Sequence, residues 1–322
     1  MVTRPFTIDP VLTAVAVNYR NTAQMMIADE VLPRVPVGAE KFKWTEYPIG
    51  QAFSVPDARV GRLGQVQQLT FSGTERTDEV IDYGLDSPIP NSDLMAAEEA
   101  RNRGVSMANP ELLATQVLTD TVANIREVRV AQLIHASATY DAARRVTLSG
   151  TSQFSDAANS DPITVINTAM DGTLLYRPNV MVMGKAVWSK LKSHPKIVNA
   201  VKGNVTDSGN VTREQFAELF SDLGPMRVLV GDAQYNTAKP GQAATLASAW
   251  GKHIALLHIN PVANTQAGIS FGMTAQYGGR IAGRIMDPDI GLQGGFRIRS
   301  GERLKEIIVA KDLGYLIINA VA

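Results

Sequence analysis

The chain has no cysteine in its 322 residues. That absence removes thiol catalysis, iron-sulfur clusters and the common structural zinc sites, and it suits folding in a reducing compartment without disulfides. Net charge is absent as well, because 31 Lys and Arg balance 31 Asp and Glu. A general nucleic-acid binder needs clustered basic residues, so any DNA contact is expected to be local and weak. No stretch approaches the roughly 18 consecutive apolar residues of a membrane span. Met1 to Pro10 lacks the basic-then-apolar pattern of an export signal, so neither a membrane nor an export role is expected. A neutral protein also lacks the self-repulsion that keeps solitary monomers apart, which is tolerable when partners bury its surface.

Chemical motifs are equally scarce. The four histidines, His135, His194, His253 and His258, have no metal-ligand spacing. Gly184-Lys185 lacks the rest of a phosphate loop, and Gly278-Gly279-Arg280-Ile281-Ala282-Gly283 misses the dinucleotide spacing. Ser189 to Lys192 and Ser193 to Lys196 match Ser-x-x-Lys but have no companion elements. Asp207-Ser208-Gly209 and Asp287-Pro288-Asp289 read as turns. The expectation is a chain with no catalytic residues, no cofactor and no metal.

What is present is an ordered succession of elements. Residues 1–40 mix short apolar pieces with Pro5, Pro10, Pro33 and Pro36, leaving room for one helix, around Leu12 to Met26. Residues 41–90 read as a long β-hairpin: Phe42-Lys43-Trp44 and Val66 to Phe71 flank a glycine turn at Gly61-Arg62-Leu63-Gly64. The limb Thr74-Glu75-Arg76-Thr77-Asp78-Glu79 is polar on both faces, so it buries no core and needs a neighbour to order it. A short helix over about Ser92 to Arg103 ends at Gly104. The clearest element follows, with Asn109 as N-cap, Pro110 in the first turn and Glu111 at the positive end of the dipole. Ala114, Leu118, Val122, Ile125 and Val128 share one arc, with Gln116, Asp120, Asn124 and Glu127 opposite. A helix over 110–137 is about 42 Å long at 1.5 Å per residue, set against a radius of gyration near 20 Å for a compact chain of this size.

Ser149 to Ser160 reads as a loop, and Asp161-Pro162 opens another helix. Strands are expected at Asn179 to Met183, Met226 to Val230 and Ile254 to Ile259. Short helices are expected at Lys185 to Lys192 and Thr212 to Ser221. Leu304 to Ala310 and Tyr315 to Asn319 are expected to close the chain as a hairpin. This alternation is α/β or α+β.

Charge is unevenly spread. Residues 41–90 hold Lys41, Lys43, Arg59, Arg62 and Arg76 against Glu46, Asp57, Glu75, Asp78, Glu79, Asp82 and Asp86. Residues 276–303 hold Arg280, Arg284, Arg297, Arg299 and Arg303 against Asp287, Asp289 and Glu302. The complementary signs mark Arg59, Arg62, Glu75, Arg76, Asp78, Glu79, Asp82, Arg280, Arg284, Arg297 and Arg299 as intersubunit contact candidates; two ordinary solvated faces are the plainer reading.

The order of arm, two-stranded excursion, long helix, mixed α/β region and closing strands resembles the major capsid proteins of tailed phages, of the Hong Kong 97-type fold. Locally, Asp161-Pro162-Ile163, then Tyr176 to Gly184, then Val187-Trp188-Ser189-Lys190-Leu191 look like the helix, strand and helix of their axial domain. Val228-Leu229-Val230-Gly231-Asp232 is similar to a later strand there. The resemblance implies an α+β capsid fold with an N-terminal arm (1–40), an extended loop (41–90) and a peripheral domain (91–149) carrying a spine helix at 110–137. An axial domain (150–262) and a return to the peripheral domain with a C-terminal β-hairpin (263–322) complete it.

By the same resemblance, copies form hexamers and pentamers that close an icosahedral shell around double-stranded DNA in the virion, assembled in the host bacterial cytoplasm. The implied partners are a separate scaffolding protein, a portal protein and, in some shells, a decoration protein, with packaged DNA held by weak non-specific contacts and no membrane. The scaffold is expected to be separate because the chain starts almost directly with the arm. No lysine lies between Trp44 and Gly184, so the lysine-asparagine crosslink that some family members make lacks its nucleophile there, and a non-crosslinked shell is expected. An encapsulin-type nanocompartment shell and an α/β enzyme with an unrecognised site are the alternatives.

Overall fold

The computed structural model describes residues 6–18, 25–46, 73–203, 208–239, 241–265 and 268–322, together with residue 206 and short pieces between 55 and 68. In chain order, β1 (Thr7–Ile8) and α1 (Pro10–Asn18) open the described chain, and α2 (Ala28–Val31) leads to β2 (Arg34–Pro36). The excursion begins with β3 (Lys41–Glu46) and returns through β4 (Thr74–Glu79) into β5 (Ile81–Pro90). Then come α3 (Asn91–Asn102), α4 (Pro110–His135), β6 (Arg145–Thr147), α5 (Pro162–Asp171), β7 (Val180–Gly184), α6 (Lys185–Leu191), α7 (Pro195–Lys202), α8 (Arg213–Glu218) and β8 (Arg227–Gly231). The last third holds β9 (Gln234–Asn236), β10 (Leu246–Ser248), β11 (Ile254–Leu257), β12 (Gly272–Gln276), β13 (Ile281–Asp287), β14 (Gly295–Ile308) and β15 (Gly314–Ile318).

Two sheets organise these elements. A five-stranded sheet runs β6-β15-β11-β7-β8. Its central strands are fully buried and apolar, as sheets covered by helices on both faces require. Met181 and Met183 point to one face, where α5, α6, α7 and α8 supply Ile166, Val187, Leu191, Ile197 and Phe216. Val180 and Val182 point to the other, against Val130, Ala131 and Ile134 of α4 and Val31 of α2. The second sheet runs β1-β13-β14-β12-β2, with β5 on the free side of β14. The first half of α4 packs on it through Leu118, beside Leu12, Ile89, Ala282 and Ile298.

The helix α4 bridges both sheets. Its 26 residues span about 39 Å, and its start is set as the sequence requires, with the Asn109 side chain accepting the Glu111 N–H at 3.0 Å. Its faces differ from the expected arc: Ile125 is exposed, whereas Arg126 and Glu127 are buried. The periodicity treated charge as outward-facing. Here the two charged side chains turn inward because they meet the arm, described below. Thr115 and Thr119 are buried as well, donating their hydroxyls to Glu111 O and Thr115 O at 2.8 and 2.7 Å.

The excursion begins as a ribbon, with β3 antiparallel to β4 from Lys41↔Glu79 to Glu46↔Thr74. Of the expected second strand at Val66 to Phe71, Val66 and Gln68 are described and lie in no strand, and the other four residues lie outside the described residues; β4 takes the place of that strand opposite β3. At the glycine turn, Gly64 N–H donates to Gly61 O at 2.8 Å. Residues 81–90 form a ten-residue edge strand on β14, in register from Leu304↔Ile81 to Gly295↔Pro90.

Two further expectations need correction. Residues 1–40 hold two described helices in place of one, α1 over Pro10–Asn18 and the single-turn α2, and Met25 and Met26 are not helical, with 19–24 outside the described residues. The two C-terminal runs do not pair with each other. Instead β14 lies in the six-stranded sheet, and β15 lies between β6 and β11 in the other. The reason is burial: Gly314-Tyr-Leu-Ile-Ile is buried at its first four positions and needs cover on both faces, which only the helix-flanked sheet offers.

Candidate assembly surface and the charge network behind it

No catalytic geometry emerges among the described residues. Among the described residues, no group of three or more His, Asp or Glu could hold a metal, and no helix is long and apolar enough to cross a membrane. The four histidines have structural contacts. His194 Nε2 lies 3.0 Å from Ser160 Oγ, and His258 Nδ1 lies 3.0 Å from Arg177 O. His253 Nδ1 accepts the Asn319 N–H at 3.0 Å, and His135 packs edge-on against Trp250 and His253. Burial, then the neighbouring His253, pushes the His135 ring down to about 3. Asp207 lies outside the described residues, and Asp287 is a buried structural carboxylate.

The charged candidates fall into three groups. Glu75, Arg76 and Glu79 pair across the ribbon, as Lys43–Glu75 and Glu46–Arg76 at 2.7 Å and Lys41–Glu79 at 3.8 Å. Asp78 lies 3.7 Å from Lys305. The arginines of the last third also have acids of their own chain: Arg280–Glu302 at 3.1 Å, Arg284–Glu111 at 3.4 Å and Arg297–Asp287 at 2.5 Å. Arg299 grips Asp86 with two hydrogen bonds of 2.6 and 2.7 Å. The complementary charge of 41–90 and 276–303 is thus in part spent within the chain, because β5 lies directly on β14. Reversing Arg297 would leave the fully buried Asp287 facing another acid, so that position supports the fold as well as any surface role.

The third group has no ion-pair partner among the described residues: Arg59, Arg62 and Asp82. Arg59 and Arg62 sit in the stretch 55–62, where every residue is exposed, Val55 at 94% and Val60 at 46%. Asp82 is exposed on β5 opposite Arg303, yet Arg303 turns instead to Glu40 at 2.9 Å.

Behind this surface is a buried network that the sequence pattern did not signal, because its members are far apart in sequence. Glu127 Oε1 accepts the Ile27 N–H and the Trp250 indole N–H, both at 2.7 Å, and Oε2 accepts the Ala28 N–H at 2.9 Å. One carboxylate therefore ties the arm and the loop before β11 to α4. Burial raises its pKa, and the three donors partly offset that rise. Next to it, Arg126 pairs with Asp29 and donates to Thr274 Oγ1 at 3.1 Å. Burial alone would push the Asp29 carboxyl up, but Arg126 and Arg34 outweigh it and hold it at about 2. Glu302, fully buried between Arg34 at 2.7 Å and Arg280 at 3.1 Å, is held below the carboxylate range in the same way.

Comparison with known proteins agrees with this architecture. The family described as Phage major capsid protein E matches residues 111–247. The major capsid protein of Pseudomonas phage JBD67 is 43% identical over 318 residues, covering 99% of this chain and 98% of that protein. That of Burkholderia phage BcepMu is 27% identical, covering 96% and 95%. Among solved structures, a phage-related protein from Bordetella bronchiseptica RB50 superposes with a TM-score of 0.72 at 21% identity, covering 98% of this chain and 99% of that one. The capsid of cyanophage P-SCSP1u gives 0.58 at 10% identity, covering 93% and 90%. The fold is the α+β Hong Kong 97-type capsid fold, and the chain belongs to the phage major capsid proteins, non-enzymatic subunits of the icosahedral shell of the virion.

Proposed function

We propose that copies of this chain form hexamers and pentamers that close around double-stranded DNA, with the excursion after β3 laid across an adjacent copy and the N-terminal arm reaching another. The division into arm, extended loop, peripheral domain on α4 and axial domain on the five-stranded sheet belongs to this reading. So do a separate scaffolding protein, a portal protein, weak contacts to packaged DNA and assembly in the host bacterial cytoplasm. The loop's two lysines, Lys41 and Lys43, lie at the base of the ribbon in pairs with Glu79 and Glu75, and no lysine follows from Trp44 to Gly184, so the rest of the loop supplies no lysine nucleophile and the shell holds without an isopeptide bond from it. A decoration protein has no specific support among these residues.

The observation that carries the reading is the exposed stretch 55–62, reached through a ribbon whose β4 limb is almost wholly exposed. Such a segment buries too little apolar area in one copy to offset the entropy of ordering it. A neighbour supplies the missing surface, and each added subunit is then held by several others at once.

The test uses the register of the ribbon. Glu46 and Thr74 face each other, so a two-residue turn can join them in place of residues 47–73. The shortened subunit is expected to fold with an unchanged far-ultraviolet spectrum and to form no shells when co-expressed with its scaffold. Shells of normal size from that variant would overturn the reading.

A further inference from the structure

The outer face of the β5–β14 pair contains a notch of about 710 Å³ lined by residues from β5, β13, β14 and the arm. Two glycines lie opposite each other there, Gly84↔Gly301. Gly301 is required by close approach, since a Cβ there would lie 2.6 Å from Tyr83 O. Gly84 is not: a Cβ there would find Ser300 O at 3.4 Å, ordinary contact. Along the sheet, the notch is bounded on one side by the Asp86–Arg299 pair and on the other by Asp82 and Arg303. Phe6 and Ile281 add apolar surface. Asp82 has no ion-pair partner among the described residues, because its cross-strand neighbour Arg303 is drawn to Glu40. Asp86 pairs with Arg299, Arg303 with Glu40, and the buried Glu302 with Arg34 and Arg280, so Asp82 is the one acid of the lining left without an ion-pair partner among the described residues.

We propose that this notch seats the loop tip of a second copy, with Val60 over the glycine floor and the guanidinium of Arg59 or Arg62 on Asp82. The tip has the matching chemistry: an exposed valine between two arginines that have no ion-pair partner among the described residues, at a turn closed by the 2.8 Å Gly64 N–H to Gly61 O bond. Apolar lining beside the unpaired Asp82 complements such a segment in chemistry and sign. The inference rests on the loop-across-neighbour reading and narrows it to one seat.

The cysteine-free chain allows a direct test. Arg62→Cys combined with Asp82→Cys, and separately Arg59→Cys with Asp82→Cys, are assembled with scaffold and treated with copper phenanthroline as oxidant. A ladder of multiples of the 34.7 kDa subunit on a non-reducing gel from at least one pair is expected. Arg62→Cys with Asp93→Cys, which lies in α3 beyond the Pro90 end of β5, itself about 20 Å from Gly84 at 3.3 Å per residue, is expected to give monomer only. Shells whose two test pairs both remain monomeric, or give only an intrachain bond, would overturn the proposal.

Two variants probe the seat without new chemistry. Gly84→Leu is expected to fold normally and lower shell yield at least tenfold. Asp82→Arg is expected to do the same and to recover when combined with Arg59→Asp and Arg62→Asp. Normal assembly of Gly84→Leu would remove the seat. If the loop-shortened subunit described above fails to assemble while Gly84→Leu assembles, the seat alone is wrong; if both assemble, the loop reading falls with it.

Discussion

Glu127→Gln isolates the carboxylate that joins the arm to α4. The substitution conserves shape but replaces one acceptor oxygen with a donor. The most favourable amide orientation keeps its oxygen at the Oε1 position, where the Ile27 N–H and Trp250 Nε1–H arrive at 2.7 Å. The new NH2 then opposes the Ala28 N–H that Oε2 had accepted at 2.9 Å. A stranded buried donor costs about 1–3 kcal/mol, and two charge-assisted bonds become neutral ones at roughly half their strength. Relief of the burial that raises the carboxyl pKa offsets part of this, leaving a net loss of about 3 kcal/mol. An unfolding entropy of about 2.1 cal/mol/K per residue amounts to about 0.7 kcal/mol/K here, so the melting temperature of the unassembled subunit should fall by about 4 °C. Thermal unfolding at pH 7 reads this directly, with the exposed-site variant Gln132→Ala as control. Amide exchange at Ile27 and Ala28 should accelerate at least tenfold if the arm opens locally. A shift under 1 °C with unchanged exchange would show that Glu127 does not hold the arm.

Other perturbations separate buried from exposed contacts. A Cβ at Gly231 would lie 2.0 Å from the Trp250 ring, so Gly231→Ala should destabilise by about 3 kcal/mol or more and lower soluble yield measured after expression. Glu302→Ala removes the acid between Arg34 and Arg280 and should cost about 3–5 kcal/mol in chemical denaturation. Asp86→Asn, at a partly exposed pair with Arg299, should cost about 1 kcal/mol or less in the same assay. Acid should act through His135 first. Its pKa is about 3 in the folded state against an ordinary 6.5, so the unfolded chain takes up the proton first. Stability then falls as pH drops from about 6.5 toward 3, by up to about 1.4 kcal/mol per unit for that ring. Asp29, depressed to about 2, adds its loss only below the ordinary carboxylate range. Melting curves between pH 7 and 4 should therefore flatten in His135→Asn.

Local signals carried well from sequence to structure. Asn109-Pro110 and Asp161-Pro162 start helices where capping chemistry places them, and the apolar runs at Val180 and Ile254 are buried strands. Readings that depended on distant partners fared worse. Tyr315 to Ile318 follows the β14 run closely and has the same apolar character, yet β15 pairs with β11 and β6 because it needs cover on both faces. Glu127 read as the outer face of α4, and only the arrival of Ile27, Ala28 and Trp250 makes burying it favourable, with the neighbouring Arg126 buried against Asp29. Residues 81–90 alternate, with Ile81, Tyr83, Leu85 and Ile89 at period two, and Pro88 and Pro90 are tolerated because the strand is an edge. For the candidate surface, opposite charge in two segments reads as contact between chains, whereas the contact observed between them lies within one chain. Charge alone could not separate contact within a chain, as at Asp86–Arg299, from contact between chains.

The central claim is that this chain is a shell subunit whose loop completes its neighbour, and electron microscopy of size-exclusion fractions tests it most directly. The full chain, expressed alone and with its scaffolding partner, is predicted to give closed shells or rings of five and six, while the subunit lacking 47–73 stays folded and unassembled. A full chain that remains monomeric under every condition, or a shortened chain that closes normal shells, would contradict it.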